Sequence, residues 1–145
     1  LALSEWEQGG GDPDDLLETY RVNALGPIQV TTALLPHLRR GRGARLIHIS
    51  SDLSSIACNE SSGWFGYRMS KAALNMASRS MAVDLRPWGI ISVALHPGWV
   101  QTDMGGPHAE IAPDESVRAM LGFIDGLTME HSGSLFDLRG RVLDF

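Results

Sequence analysis

The chain has 145 residues, 43% of them hydrophobic, a single cysteine and a formal net charge of −5. That balance excludes a disulfide scaffold and a low-complexity polymer, and no apolar run approaches the ~18 residues of a membrane-spanning helix. A mild acidic excess without a basic stripe gives no footing for nucleic-acid binding, whereas a chain this long buries roughly 70% of its unfolded surface, enough for one domain without metals. The unpaired Cys58 fits a reducing compartment, and no basic stretch precedes an apolar one at the N-terminus, so the expected location is cytoplasmic. The first residues, LALSEWEQ, have no initiating methionine, and the chain is expected to be part of something longer.

After Gly9 to Gly11, Asp12 can cap a helix, Pro13 suits its first turn, and Asp14, Asp15 and Glu18 favour its positive end. Apolar Leu16, Leu17, Tyr20, Ala24, Ile28 and Leu35 recur at helical spacing, which predicts a helix over about 13–38 with a kink at Pro27 and loosened last turns at Pro36. RLIHIS, 45–50, is short and rich in branched apolar residues, as a strand buried on both faces should be. A second helix is predicted over about 66–86, where Met69, Ala73, Met76, Ala77, Met81 and Leu85 recur and Pro87 and Gly89 end the pattern. IISVAL, 90–95, reads as another buried strand. A helix follows over 114–129 behind Pro113, then a last short strand at 134–138. Helix and strand in alternation predict a parallel sheet covered by helices, because parallel neighbours need crossovers.

Function in such folds lies beyond the carboxyl ends of the strands. The first strand runs out into Ser50 and Ser51, and the second into HPGWVQT, 96–102. Between them, near the start of a helix, Tyr67 precedes Lys71 by four residues. That step amounts to about 400° of rotation and ~6 Å of rise, so the two share one face. Spacing alone favours ordinary helix packing, with the tyrosine half buried and the lysine solvated. His48, inside a strand, is expected to be a satisfied core histidine. His37, His96, His108 and His131 lack metal-ligand spacing, and no metal site is expected.

LIHISS, YRMSKAALN and HPGWVQTDM together resemble the short-chain dehydrogenase/reductase family, in the family's order and spacing, and VNALGP supplies the asparagine expected in the preceding helix, Asn23. The likeness runs from about residue 12 to the end, where GSLFDLRGRVLDF resembles the carbonyl-reductase-like, C-factor-like branch. It implies an α/β fold, a Rossmann-type doubly wound parallel sheet in three α/β/α layers lacking its N-terminal strands. Residues 1–145 would form one domain, the C-terminal catalytic part. The activity implied is NAD(P)-dependent interconversion of a carbonyl and an alcohol, with NADP slightly ahead of NAD. A free tyrosine, with a pKa of ~10, exchanges protons poorly near neutrality. Tyr67 would be the general acid/base, its pKa lowered by the Lys71 ammonium. Ser51 would bond the substrate oxygen, and Asn23 would hold a water in a proton relay. By the same resemblance Lys71 also bonds the nicotinamide ribose, Pro97 and Gly98 shape the nicotinamide pocket, the Val100 backbone faces the carboxamide, and Thr102 lies near the phosphates. Ser50 is assigned a structural role.

Some features depart from the family pattern. GGGDP, 9–13, is glycine-rich, but LALSEWEQ before it lacks the buried-strand character of a phosphate-binding turn. Loop 52–66 is long, serine-rich, and expected to border the substrate. A competing reading is a truncated relative, catalytically incompetent, whose two long helices form a homo-oligomeric association surface. A serine hydrolase built on Ser51 is disfavoured, since no Gly-x-Ser-x-Gly turn is present.

Overall fold

A computed structural model describes residues 11–61 and 63–145. The reading of LALSEWEQ as lacking buried-strand character, and Gly9 and Gly10 of GGGDP, lie outside the described residues. Helix α1 spans Pro13–Tyr20, capped by Asp12, whose Oδ1 accepts the Asp14 N–H at 2.8 Å. A π-helical turn, Arg21–Leu25, follows, and helix α2 spans Gly26–Arg40. The single helix expected over 13–38 is therefore interrupted, and the interruption lies before Pro27. Proline lacks the N–H that would bond the carbonyl four residues back, so the bond lost is the one to Asn23. The chain widens there, and Gly26 N–H reaches back to Arg21 O. Pro36 does not end α2, which continues to Arg40.

Strand β1 is Arg45–Ile49, helix α3 Phe65–Asp84, strand β2 Ile91–His96, helix α4 Pro113–Asp125, and strand β3 Leu135–Asp137. The sheet runs β1-β2-β3 in parallel, with register Arg45↔Ile91 through Ile49↔Leu95 and Ala94↔Leu135 through His96↔Asp137. A strand the sequence did not announce, β4 at Val142–Leu143, pairs antiparallel with β3. Asp137 makes that reversal: its Oδ1 accepts the N–H groups of Arg139 and Arg141, each at 2.9 Å, while Gly140 takes the left-handed φ of 80° between them.

Successive residues of β2 point to opposite faces. Ile91, Val93 and Leu95 join Leu127 and Phe136 in an apolar cluster packed by Met120, Phe123 and Ile124 of α4 and its surroundings. Ser92 points the other way, its Oγ donating to the Ser78 carbonyl of α3 at 3.0 Å. Helices thus cover both faces, and the sheet is the middle of three layers. Among the described residues no helix is long and apolar enough to cross a membrane.

Candidate functional site

β1 and β2 deliver their chains side by side at the same end of the sheet. Beyond them opens a cavity of about 1030 Å³, lined among others by Ser51, Tyr67, Pro97, Gly98, Val100 and Thr102. Six of the eight residues singled out by sequence therefore meet in one place. Asn23 and Lys71 line a second, smaller groove of about 510 Å³ along β1, with His48 and Ile49. The expected set is divided between two adjoining spaces.

Tyr67 stands in the first turns of α3 and lines the cavity together with Ser51. Its pKa is raised: burial is the main cause, the neighbouring Ser51 hydroxyl opposes it, and the Asp52 carboxylate adds to it. The expectation that Lys71 lowers that pKa is not met. The Lys71 ammonium lies 5.7 Å from the centre of the Tyr67 ring and donates instead to the Ile49 carbonyl at 2.8 Å. Burial pushes the Lys71 pKa down from its ordinary value. One of its three N–H donors is committed to Ile49, which leaves two for other acceptors.

Asn23 sits at the centre of the π-helical turn, and its Nδ2 donates to Ser70 Oγ at 3.0 Å. Ser70 in turn donates to the Tyr67 carbonyl at 2.8 Å. Asn23 thus reaches the backbone of the tyrosine, through the residue before Lys71, and ties the two helices together. Its own carbonyl is the one deprived of an α-helical donor by Pro27.

The strand-end serines divide their labour. Ser50 is buried, and its Oγ donates to Asn75 Oδ1 at 2.6 Å; Asn75 Nδ2 donates to Ser54 Oγ at 2.7 Å. Ser54 closes the loop by donating to the Ser51 carbonyl. Ser50 is structural, as expected, and Ser51 faces the cavity. Ser51 Oγ donates to Asp52 Oδ1 at 3.1 Å and accepts the Leu53 N–H at 3.1 Å.

Pro97 and Gly98 are more than a plain turn. Gly98 has φ of 83°, and a Cβ there would lie 2.5 Å from Ile111 Cδ1 and 2.6 Å from Leu138 Cδ2. The position requires glycine, and the close approach fixes the cavity wall. The Pro97 carbonyl accepts from Ser116 Oγ of α4 at 2.6 Å. Val100 bridges to Ile111 through Gln101 N–H and the Trp99 carbonyl. The Thr102 hydroxyl accepts the Gly105 N–H at 3.2 Å and so also shapes its own turn.

Three contributors were not singled out by sequence. Asn75 lies one turn beyond Lys71 and anchors Ser50 and Ser54, a role that its burial and bonds reveal. Arg68 gathers the loop expected to border the substrate, donating to the carbonyls of Gly63 at 3.0 Å and Leu53 at 3.3 Å and to Ser61 Oγ at 2.7 Å. Asp52, Leu53 and Trp64 of that loop do line the cavity. His96, dismissed as a metal ligand, accepts the Asp52 N–H at its Nδ1, 3.2 Å away. His48 is a correction: it is buried as expected, but its Nε2 has no hydrogen-bond partner among the described residues, and burial lowers its pKa so that the ring stays neutral.

A family model described as short chain dehydrogenase matches residues 9–111. The chain is 57% identical over 132 residues to the C-signal of Myxococcus xanthus, covering 90% of this chain and 80% of that protein. It is 36% identical to the 1-hydroxy-2-glutathionyl-2-methyl-3-butene dehydrogenase of Rhodococcus sp. (strain AD45), covering 96% of this chain and 62% of that one. Among solved structures, the carbonyl reductase Sniffer of D. melanogaster superposes with a TM-score of 0.89 at 35% identity, over 93% of this chain and 59% of its own. NADPH-bound carbonyl reductase from chicken fatty liver gives 0.86 at 36%, again over 93% and 59%. Apart from the C-signal, then, the chain spans about three fifths of the length of these relatives.

Proposed function

The chain belongs to the short-chain dehydrogenase family, and from that premise we propose that it carries the substrate-side groups of an NAD(P)-dependent oxidoreductase interconverting a carbonyl and an alcohol. The observation that carries this reading is that Tyr67 and Ser51 together line a cavity at the carboxyl ends of two parallel strands. The nicotinamide would supply or accept the hydride. The chain's own task is the proton and the oxygen.

A tyrosine whose pKa is raised is fully protonated at neutral pH, the state a proton donor needs when a carbonyl oxygen becomes an alkoxide. Ser51, on the same cavity wall, would hold that oxygen and share its developing charge. In the oxidative direction Tyr67 must give up its own proton first, and Lys71, one turn along the helix with two N–H donors left over from its bond to Ile49, would bond the nicotinamide ribose. Asn23 would anchor the relay behind Lys71, its carbonyl offering an acceptor to a water. The cavity suits the nicotinamide end of the cofactor, with Pro97, Gly98, Val100 and Thr102 along its wall. NADP is favoured over NAD by the NADPH-bound relative, and a cytoplasmic setting by the exposed, unpaired Cys58.

The test is Tyr67→Phe in the full-length protein that contains this chain. Carbonyl reduction should fall by about 10²–10⁴-fold with the thermal unfolding transition unchanged, and turnover close to wild type would rule the assignment out.

A second reading has its own support. Met69, Met76 and Val83 repeat at seven-residue spacing along α3 and are 62%, 67% and 64% exposed, and Val30 and Leu34 of α2 are 58% and 47% exposed. Two apolar helix faces left open at this scale suit association with a second copy through α2 and α3. Met76→Glu should convert a dimer to a monomer in sedimentation velocity; a wild-type protein that already sediments as a monomer removes this reading.

A further inference from the structure

His96 ends β2, and its side chain is 16% exposed in the wall of the cavity. Two polar groups of Asp52 face its Nδ1: the backbone N–H at 3.2 Å, and the carboxylate Oδ1 at 3.7 Å. A nitrogen that accepts an N–H is unprotonated, so the proton of neutral His96 resides on Nε2. The same carboxylate oxygen receives the Ser51 hydroxyl at 3.1 Å and the Leu53 N–H at 2.8 Å. His96, Asp52 and Ser51 are consequently linked through hydrogen bonds, and Tyr67 shares the cavity wall with them; of these four the proposed function uses only Ser51 and Tyr67.

Building on that function, we propose that His96 is a positioning residue: in its neutral form it fixes the turn that presents Ser51 to the reacting oxygen, and on protonation it releases that turn. Protonated Nδ1 would set two donors against each other across 3.2 Å, which breaks the bond to the Asp52 N–H. The imidazolium would turn instead to the Asp52 carboxylate and compete with Ser51 for it. Either movement shifts the Ser51 hydroxyl relative to Tyr67.

The surroundings set the range in which this happens. Burial disfavours the imidazolium; Asp52 from the turn after β1 and Asp137 from β3, the cross-strand partner of His96, favour it, and the balance lies below the ordinary 6.5. Asp137 is itself occupied by Arg141, whose Nε donates at 2.6 Å. Tyr67 of α3, and Glu110 and Arg139 from the flanking loops, share the cavity, whereas α4 brings only Pro113, Ser116, Val117 and Met120, none of which titrates there.

The experiment compares wild type, His96→Asn and His96→Ala in the full-length protein, with carbonyl reduction followed against pH and the Asp52 amide followed by NMR. Asparagine offers a non-titrating acceptor in place of Nδ1. Wild-type kcat should fall on an acid limb lying below the ordinary imidazole range, the Asn variant should lose that limb, and the Ala variant should be about fivefold slower in kcat at pH 7.5. In wild type the Asp52 amide resonance should titrate together with His96. An acid limb that persists in His96→Asn, or an Asp52 amide indifferent to His96 protonation, overturns the proposal. The NMR result stands whatever Tyr67→Phe shows, so failure here and failure of the enzymatic reading are separable.

Discussion

On the face of the sheet that α4 covers, Ile91, Val93, Leu95, Leu127 and Phe136 pack as an apolar cluster, with Phe123 and Phe136 rings 4.9 Å apart. On the face that α3 covers, the buried side chains include Ser50, Ser54, Ser70, Asn75, Ser78 and Ser92. The first face has no directional bonds to satisfy, so it contributes cohesion and tolerates small shifts. The second is held by hydrogen bonds with fixed geometry, and those bonds run straight to the site: Asn75 through Ser54 to the Ser51 carbonyl, and Asn23 through Ser70 to the Tyr67 carbonyl. Position, rather than cohesion, is what the polar face supplies.

Breaking each face should separate the two contributions. The largest effect is expected from Phe136→Ala, which empties the apolar face and should cost about 3–5 kcal/mol in chemical denaturation, while the residual folded protein keeps wild-type kcat. A variant that unfolds no more easily than wild type would mean that the α4 face is not the main source of cohesion. Asn75→Ala should cost less, about 1–3 kcal/mol, since it leaves the Ser50 and Ser54 hydroxyls buried without their partner. Yet its effect on kcat should exceed that of Phe136→Ala, because the turn carrying Ser51 loses its anchor. If instead the Asn75 variant loses stability but keeps full kcat, the polar face is cohesive only, and the contrast between the faces collapses.

The alternation of helices and strands, the parallel sheet and the end of the sheet at which the cavity opens were legible because each rests on local signals. Asp12 and Pro13 mark a helix start, RLIHI and ISVAL are short branched apolar runs, and Pro97 and Gly98 stop a strand; only ISVAL is buried throughout, since β1 lies at the edge of the described sheet with Ile49 exposed, against the expectation of burial on both faces. The seam of the long first helix was legible in kind and misplaced by a few residues: the kink was assigned to Pro27, whereas the missing bond belongs to the carbonyl four residues earlier, at Asn23. Met69 and Met76 were counted with the apolar face of the second helix and stand in the open, because periodicity identifies a stripe without saying what covers it. β4 escaped notice since two residues carry no period at all.

By itself the sequence determined which residue types stand where along the chain: a tyrosine and a lysine one turn apart, a serine leaving one strand, Pro-Gly leaving the next, and an asparagine four residues before a proline. Only the tertiary structure decided how they are partnered. Lys71 bonds Ile49, 22 residues away, Ser50 bonds Asn75, 25 away, and His96 meets Asp52, 44 away. Such pairings depend on the register of parallel strands and on which face of a helix meets the sheet, and neither is fixed until the crossovers have closed and the apolar face is buried.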